Sequence, residues 1–244
     1  IQEKIGAFLP EAIFEEGQYL TVSVPADKMN ALCRFLHDDK DLQFDNLVSL
    51  IGMDWGETLG VVYYLNSTKY NHWVILKVET SDKENEREVY DFFGIRFINH
   101  PDMRHLFLRE DWVGYPFRKD YDANPEINPI PTENESCSVD TVSLREDAEG
   151  RIIEEKRKVF QDNDYIVNIG PQHPATHGVL RFQTALDGET IKKIDVHCGY
   201  IHRGIEKMWE SMTYPQTLHL TDRLDYLSAH NNRHALCMCI EEAM

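Results

Sequence analysis

The stretch GPQHPATHG, residues 170–178, decides how the C-terminal part of this chain is read. His173 and His177 stand four apart, the spacing that sets two imidazoles on one helical face and opens many zinc sites. The residues around them forbid the helix. Pro174 directly follows His173 and pushes it out of the α region. Gly170, Pro171 and Gly178 bracket the pair with turn formers. On either side lie YIVNIG (165–170) and VLRFQTAL (179–186), both patterned as strands. The segment therefore reads as a strand-to-strand turn. No Glu follows His173, so the metalloprotease pattern is missing too. Two readings stay open here: histidines that brace a tight turn, or imidazole donors offered to a polar ligand group.

Outward from the turn, Asp187-Gly188 is a strong hairpin signal, and IKKIDVHC (191–198) returns antiparallel. The period then becomes helical. Ile201, Ile205, Met208, Trp209 and Met212 mark one helix; a second is expected from about Asp222 to the end, with Leu224, Leu227, Cys239, Ile240 and Ala243 inward. A small sheet and two helices hardly bury a core alone. Residues 159–244 thus read as the first part of a larger, here truncated, helical domain.

The N-terminal third alternates strand and helix signals. Residues 19–24, 47–55, 59–65 and 72–79 are strand candidates, with a hairpin loop over 66–71. Residues 26–36 carry Met29, Leu32, Cys33 and Leu36 on one helical stripe. The order β-α-β-β-β predicts an α+β fold with helices on one face of a sheet. A helix over 84–93 should end at Gly94. Residues 100–121 have no clean period and are expected to wrap over other elements. Residues 122–158 read as a linker: three prolines among polar residues, then the charged run REDAEGRIIEEKRK, a solvated spacer with at most a helical turn. The expected domains are 1–121 and 159–244, joined by 122–158.

Charge excludes some partners. Lys and Arg number 25 against 42 Asp and Glu, a formal charge of −17, which argues against nucleic acid and against broad docking on anionic lipid. No apolar run approaches the roughly 20 residues of a membrane-spanning helix. The five cysteines, at 33, 137, 198, 237 and 239, form no CxxC pair and read as small buried hydrophobes in a reducing compartment.

Longer matches sharpen this reading. NIGPQHPATHGVLRFQTALDGE, CGYIHRGIEKMWE and LTDRLDYLSAHNN resemble the 49-kDa subunit (D-type in bacteria) of the NADH:quinone oxidoreductase known as complex I. EREVYDFFGIRFINHPDMRHLFLREDWVGYPFRKDY (86–121) resembles its 30-kDa subunit (C-type in bacteria). In this order on one chain they resemble the fused C–D subunits of some bacteria, with the D part truncated. The resemblance implies an N-terminal α/β sandwich-like domain, a linker, and a small antiparallel sheet leading into a truncated helical domain of the hydrogenase-large-subunit type. The nickel thiolates of those hydrogenases would fall at Asp225 and Ser228, so nickel chemistry is rejected.

The resemblance also implies a site. His177 of the HPxxHG loop and Tyr226 of the D-R-x-D-Y motif would reach a quinone headgroup. An imidazole and a phenol can donate to its carbonyls as negative charge develops and can pass a proton on. On the expected helix, His230 shares the face of Tyr226. Arg203 would lie beside the terminal iron–sulfur cluster and raise its potential; the plain alternative is an intrahelical pair with Glu206. The cluster belongs to a neighbouring subunit, and no metal ligation is expected in this chain. The implied partners are the cluster-bearing B subunit, the G and I subunits, the membrane-arm subunits and quinone. The implied place is peripheral, on the cytoplasmic face of the bacterial inner membrane. The implied role is electron transfer to quinone coupled to proton translocation, with the isolated chain inactive. The alternative is a structural or assembly subunit of a related membrane-bound oxidoreductase fed by ferredoxin or deazaflavin. The Glu86-Arg87-Glu88 and Tyr90-Asp91 cluster reads as a solvated helix face rather than a catalytic carboxylate set, and residues 112–121 as interface anchors. The longer connection that the family carries before EREVYDFFG is missing here.

Overall fold

The computed structural model describes residues 1–80, 90–109, 112–122, 140–147, 151–172, 174 and 178–244. They form two compact units, Ile1–Tyr200 and Ile201–Met244. The fold is mixed, with several sheets and, among the described residues, no barrel.

The first unit is built on a five-stranded sheet: β1 (Ile13–Glu15), β2 (Leu20–Ser23), β3 (Asn46–Asp54), β4 (Leu59–Asn66) and β5 (Trp73–Thr80). Their spatial order is β1-β2-β5-β4-β3, antiparallel throughout except for the parallel β2–β5 pair. The apolar residues of β4 and β5 pair in register, Leu65 with Val74, Tyr63 with Leu76 and Val61 with Val78. Helices α1 (Gln2–Phe8) and α2 (Met29–Asp38) cover that face. The expected stripe on α2 is the buried one: Met29, Leu32 and Leu36 point inward with Ile5 of α1. Burying one such Leu is worth about 1.5–3 kcal/mol. The sequence pattern misses α1 and β1. The first is seven residues long with one buried side chain, and the second is three residues long. Neither is long enough to show a period.

Helix α3 (Tyr90–Phe93) ends at Gly94 as expected, with φ +75°. A Cβ there would lie 2.4 Å from the Tyr115 ring. Residues 84–89 of the expected helix lie outside the described residues. The segment after Gly94 wraps, and Phe92 holds it: its ring stacks on Phe117 at 4.3 Å and Phe107 at 5.7 Å.

The spacer expected over 122–158 is corrected in its second half. Residues 140–158 include a hairpin, β6 (Asp140–Glu146) and β7 (Ile152–Lys158), paired antiparallel. The wrapping segment adds to it, the Asn99 N–H donating to Leu144 O at 3.0 Å and the Met103 N–H to Val142 O. Leu144 is thereby buried. The charges hid an alternation of Val142 and Leu144 that needs this neighbour to seat it. The expected linker residues 123–139 lie outside the described ones.

The second sheet follows the sequence reading closely. β8 (Tyr165–Ile169), β9 (Arg181–Asp187) and β10 (Thr190–His197) lie antiparallel in the order β10-β9-β8. Gly188, φ +60°, turns the β9–β10 hairpin.

The second unit departs further from expectation. The first helix, α4, is only Ile205–Trp209, because Gly204 takes φ +63° and starts it late. Next come α5 (Tyr214–Thr217), 3-10 turns over Leu218–Arg223 and Tyr226–Ser228, and α6 (Ala229–Ala243). The expected helix from Asp222 thus begins seven residues later. Asp225 interrupts it, its carboxylate accepting the Leu227 N–H at 3.2 Å. Leu224 and Leu227, expected inward, are exposed, and α6 buries no residue.

Candidate functional site

The loop that carries the two close-spaced histidines leaves β8 through Gly170. Its φ is +88°, and a Cβ would lie 2.0 Å from Leu180 O. Only glycine fits such a place. The Gly170–Pro171 peptide is cis. The chain then rejoins β9, so the loop connects two adjacent antiparallel strands. His173 and His177 lie outside the described residues.

Tyr226 belongs to the second unit. It sits in a 3-10 turn, not a helix, so the shared helical face with His230, which lies in α6, does not form. Its side chain is 63% exposed, and among the described residues its hydroxyl has no hydrogen-bond partner. The turn under it is firm. Asn232 Nδ2 donates to Thr221 O at 3.2 Å and to Asp225 O at 3.0 Å, and Arg233 pairs with Asp222. A phenol presented outward from a braced turn is suited to donate to a ligand oxygen.

Arg203 is exposed and precedes Gly204, outside α4. The intrahelical pair with Glu206 is therefore not available to it. The ion pair of this helix region is Lys207 Nζ to Glu210 Oε2 at 2.9 Å instead. Tyr226 lies in the unit Ile201–Met244, and His177 is outside the described residues. Among the described residues no three His, Cys, Asp or Glu side chains gather as a metal site. Burial pushes the Cys33 thiol up to about 11 and raises Cys198 as well, which makes both poor thiolates.

Sequence reasoning missed the buried charges of the first unit. Asp91 is not on a solvated helix face; it is 4% exposed. Its carboxylate takes His105 Nδ1 at 2.5 Å and the backbone N–H groups of Leu106, Phe107 and Leu108 at 2.8, 2.6 and 3.4 Å. It is an anchor for the wrapping segment. Arg104 bridges Asp102 and Asp195. Asp195 is pushed up by burial, but His197 and Arg104 more than reverse this and hold it well below the usual carboxylate range. Asp102 is held low in the same way, burial being outweighed by Arg104. Asp195, and after it Asp102, raise Arg104 above its ordinary value. His197 Nε2 lies 3.2 Å from Asp195 Oδ2, a close electrostatic contact without hydrogen-bond geometry. No local signal was available: between Ile194 and Val196, Asp195 reads as the solvent-facing member of an alternating strand, yet it is the buried one and its two neighbours are exposed.

Comparison with known proteins adds to this geometry. The family model of the respiratory-chain NADH dehydrogenase 30 kDa subunit matches residues 22–85 and 83–126. The two matched pieces overlap at residues 83–85. A C/D subunit of NADH-quinone oxidoreductase from Phocaeicola vulgatus is 55% identical, covering 91% of this chain and 46% of the relative. The like-named protein of Bacteroides fragilis is 52% identical over 86% of this chain and 45% of its own. That of Bdellovibrio bacteriovorus is 34% identical over 91% and 40%. The chain spans about half the length of the curated relatives it matches. Among solved structures, a chain of the archaeal membrane-bound sulfane sulfur reductase matches with a TM-score of 0.41 and 23% identity, over 52% of this chain and 86% of that one, a likeness too distant to bear on function.

Proposed function

This chain belongs to the family of NADH-quinone oxidoreductase C/D subunits, and we propose that it serves in the peripheral arm of such a complex, where its D-type part contributes to quinone reduction. Residues 1–121 are the C-type domain, 122–158 the connection that includes hairpin β6–β7, and 159–244 the start of the D-type, hydrogenase-like helical domain. Electrons come from NADH through an iron–sulfur cluster on the neighbouring B-type subunit and pass to quinone, and the reaction drives proton translocation. The G- and I-type subunits and the membrane arm are the other neighbours. The chain sits peripherally on the cytoplasmic face of the inner membrane; no helix among the described residues is long and apolar enough to cross one.

His177 and Tyr226 are the donors to the two ends of the reduction: each offers a polar hydrogen as negative charge develops on a quinone oxygen, and each can deliver a proton. Arg203 supplies a fixed positive charge beside the terminal cluster, which favours its reduced form. The observation that carries this reading is the likeness to C/D relatives across nearly the whole chain. The outward hydroxyl of Tyr226 and the glycine-shaped loop that leads to His177 are compatible with it.

The test is kinetic. In the intact complex, Tyr226→Phe and His177→Ala should each lower quinone reduction about 100-fold, the range lost with a general acid, while NADH still reduces the terminal cluster. Unchanged quinone turnover in both variants refutes the assignment.

A further inference from the structure

The end of β10 is held unusually tightly, and the proposed site gives the holding groups no task. Arg104 grips Asp195 in a fork: Nη1 donates to Oδ2 at 2.9 Å and Nη2 to Oδ1 at 2.8 Å. The same guanidinium takes Asp102 through Nε at 3.2 Å and Nη2 at 2.8 Å. The side chains of Asp195 and Arg104 are only 6% and 17% exposed. Burying such a pair carries a desolvation cost, and a well-packed apolar pair is often as stable. What the fork adds is geometric register, because two parallel bonds fix orientation as well as distance.

Two further contacts act on the same few residues. Gly199 passes so close to the wrapping segment that a Cβ would lie 2.4 Å from Phe107 O. Phe107 is itself fixed, its N–H held by Asp91. From β9 the buried Arg181 donates to the Tyr200 hydroxyl at 3.3 Å. Residues 195–200 are thus held at three points by charge and close packing, where ordinary apolar contact would allow them to shift.

We propose that Arg104 is a positioning residue for quinone reduction: by gripping Asp195 it fixes the end of β10 and the turn after it, from which the chain runs on to Arg203. The proposal rests on the function proposed above. It makes the C-type part of the chain, through one guanidinium, responsible for how the D-type part holds residues 195–200. Lysine cannot replace it fully, because an ammonium cannot make the two parallel bonds.

Arg104→Ala and Arg104→Lys in the purified complex test it with three readouts. These are hydrogen–deuterium exchange of residues 195–200, the midpoint potential of the terminal cluster, and kcat and KM for a short-chain quinone. NADH oxidation by hexacyanoferrate reports assembly upstream. In the alanine variant we expect exchange about tenfold faster, a lowered cluster potential and kcat down about 10- to 100-fold, as a misplacement near 1 Å produces. The hexacyanoferrate activity should stay unchanged, and the lysine variant should fall between. Unchanged exchange overturns the clamp. Faster exchange with unchanged potential and kcat overturns the positioning role, and so does a loss of hexacyanoferrate activity in proportion to quinone turnover. Should His177→Ala and Tyr226→Phe both leave quinone turnover intact, the functional assignment falls while the exchange result still judges the clamp.

Discussion

The two units of the chain treat their apolar residues in opposite ways. In Ile1–Tyr200, Ile5, Val22, Leu32, Leu36, Val74 and Leu76 are wholly buried between one sheet face and two helices. In Ile201–Met244 the buried residues are Thr217, Leu220 and Thr221, while Leu224, Tyr226 and Leu227 face outward. The first unit is held by burial and by paired strands whose register leaves one face inward. The second is held by local devices: the Thr213–Gln216 capping box, the Asp225 cap and the Asn232 bridges. A chain can therefore be locally well made and still leave its apolar side chains free for another surface.

The sharpest way to break that contrast is a cavity in the first unit. Leu32→Ala removes a fully buried side chain from the α2 stripe. It should cost about 2–5 kcal/mol in chemical denaturation of the chain. A cost below about 1 kcal/mol would mean the core relaxes around the gap and is not the packed element described.

What was legible in the sequence follows the same division. Strands β2 to β5 and β8 to β10 could be read because each is an alternating or apolar run of several residues bounded by turn formers. Hairpin β6–β7 could not, since its charged residues carry the pattern of a spacer and its two inward apolar residues need the distant 99–103 segment to be seated. Arg104 and Asp195 look like ordinary surface charges in the sequence, and their partner relation spans 91 positions. No local pattern carries that information. In the second unit the apolar period is present, but nothing in the unit gives Leu224 or Leu227 a surface to face. His177 and Tyr226 were never legible from spacing; they came from the resemblance.

Acid should separate the units next. Asp102 and Asp195 have folded values below the ordinary carboxylate value of about 4. Such groups contribute stability that is fully present above the unfolded value and is lost as pH falls toward the folded one. The denaturation midpoint of the first unit should therefore be insensitive to this network from about pH 5 upward and fall below about pH 4. Arg104→Ala removes the cation shared by both carboxylates and leaves only His197 against Asp195, so its acid loss should be shallower than that of the wild type. An equally steep fall would place the acid sensitivity elsewhere.

The smallest effect belongs to the second unit and is the most informative about the site. Leu227 is 92% exposed, so Leu227→Ala should change the stability of the chain by no more than about 0.5 kcal/mol. A loss of core size would show that the side chain is packed after all and end the contrast. The same reasoning covers its neighbour. Tyr226 is mostly exposed and its hydroxyl bonds nothing among the described residues, so Tyr226→Phe removes an oxygen that the fold does not use. Its stability should match the wild type within the same margin. Any loss of quinone turnover in that variant then reports the missing donor rather than a damaged turn, because the turn is held by Asp225 and Asn232, which the substitution leaves in place.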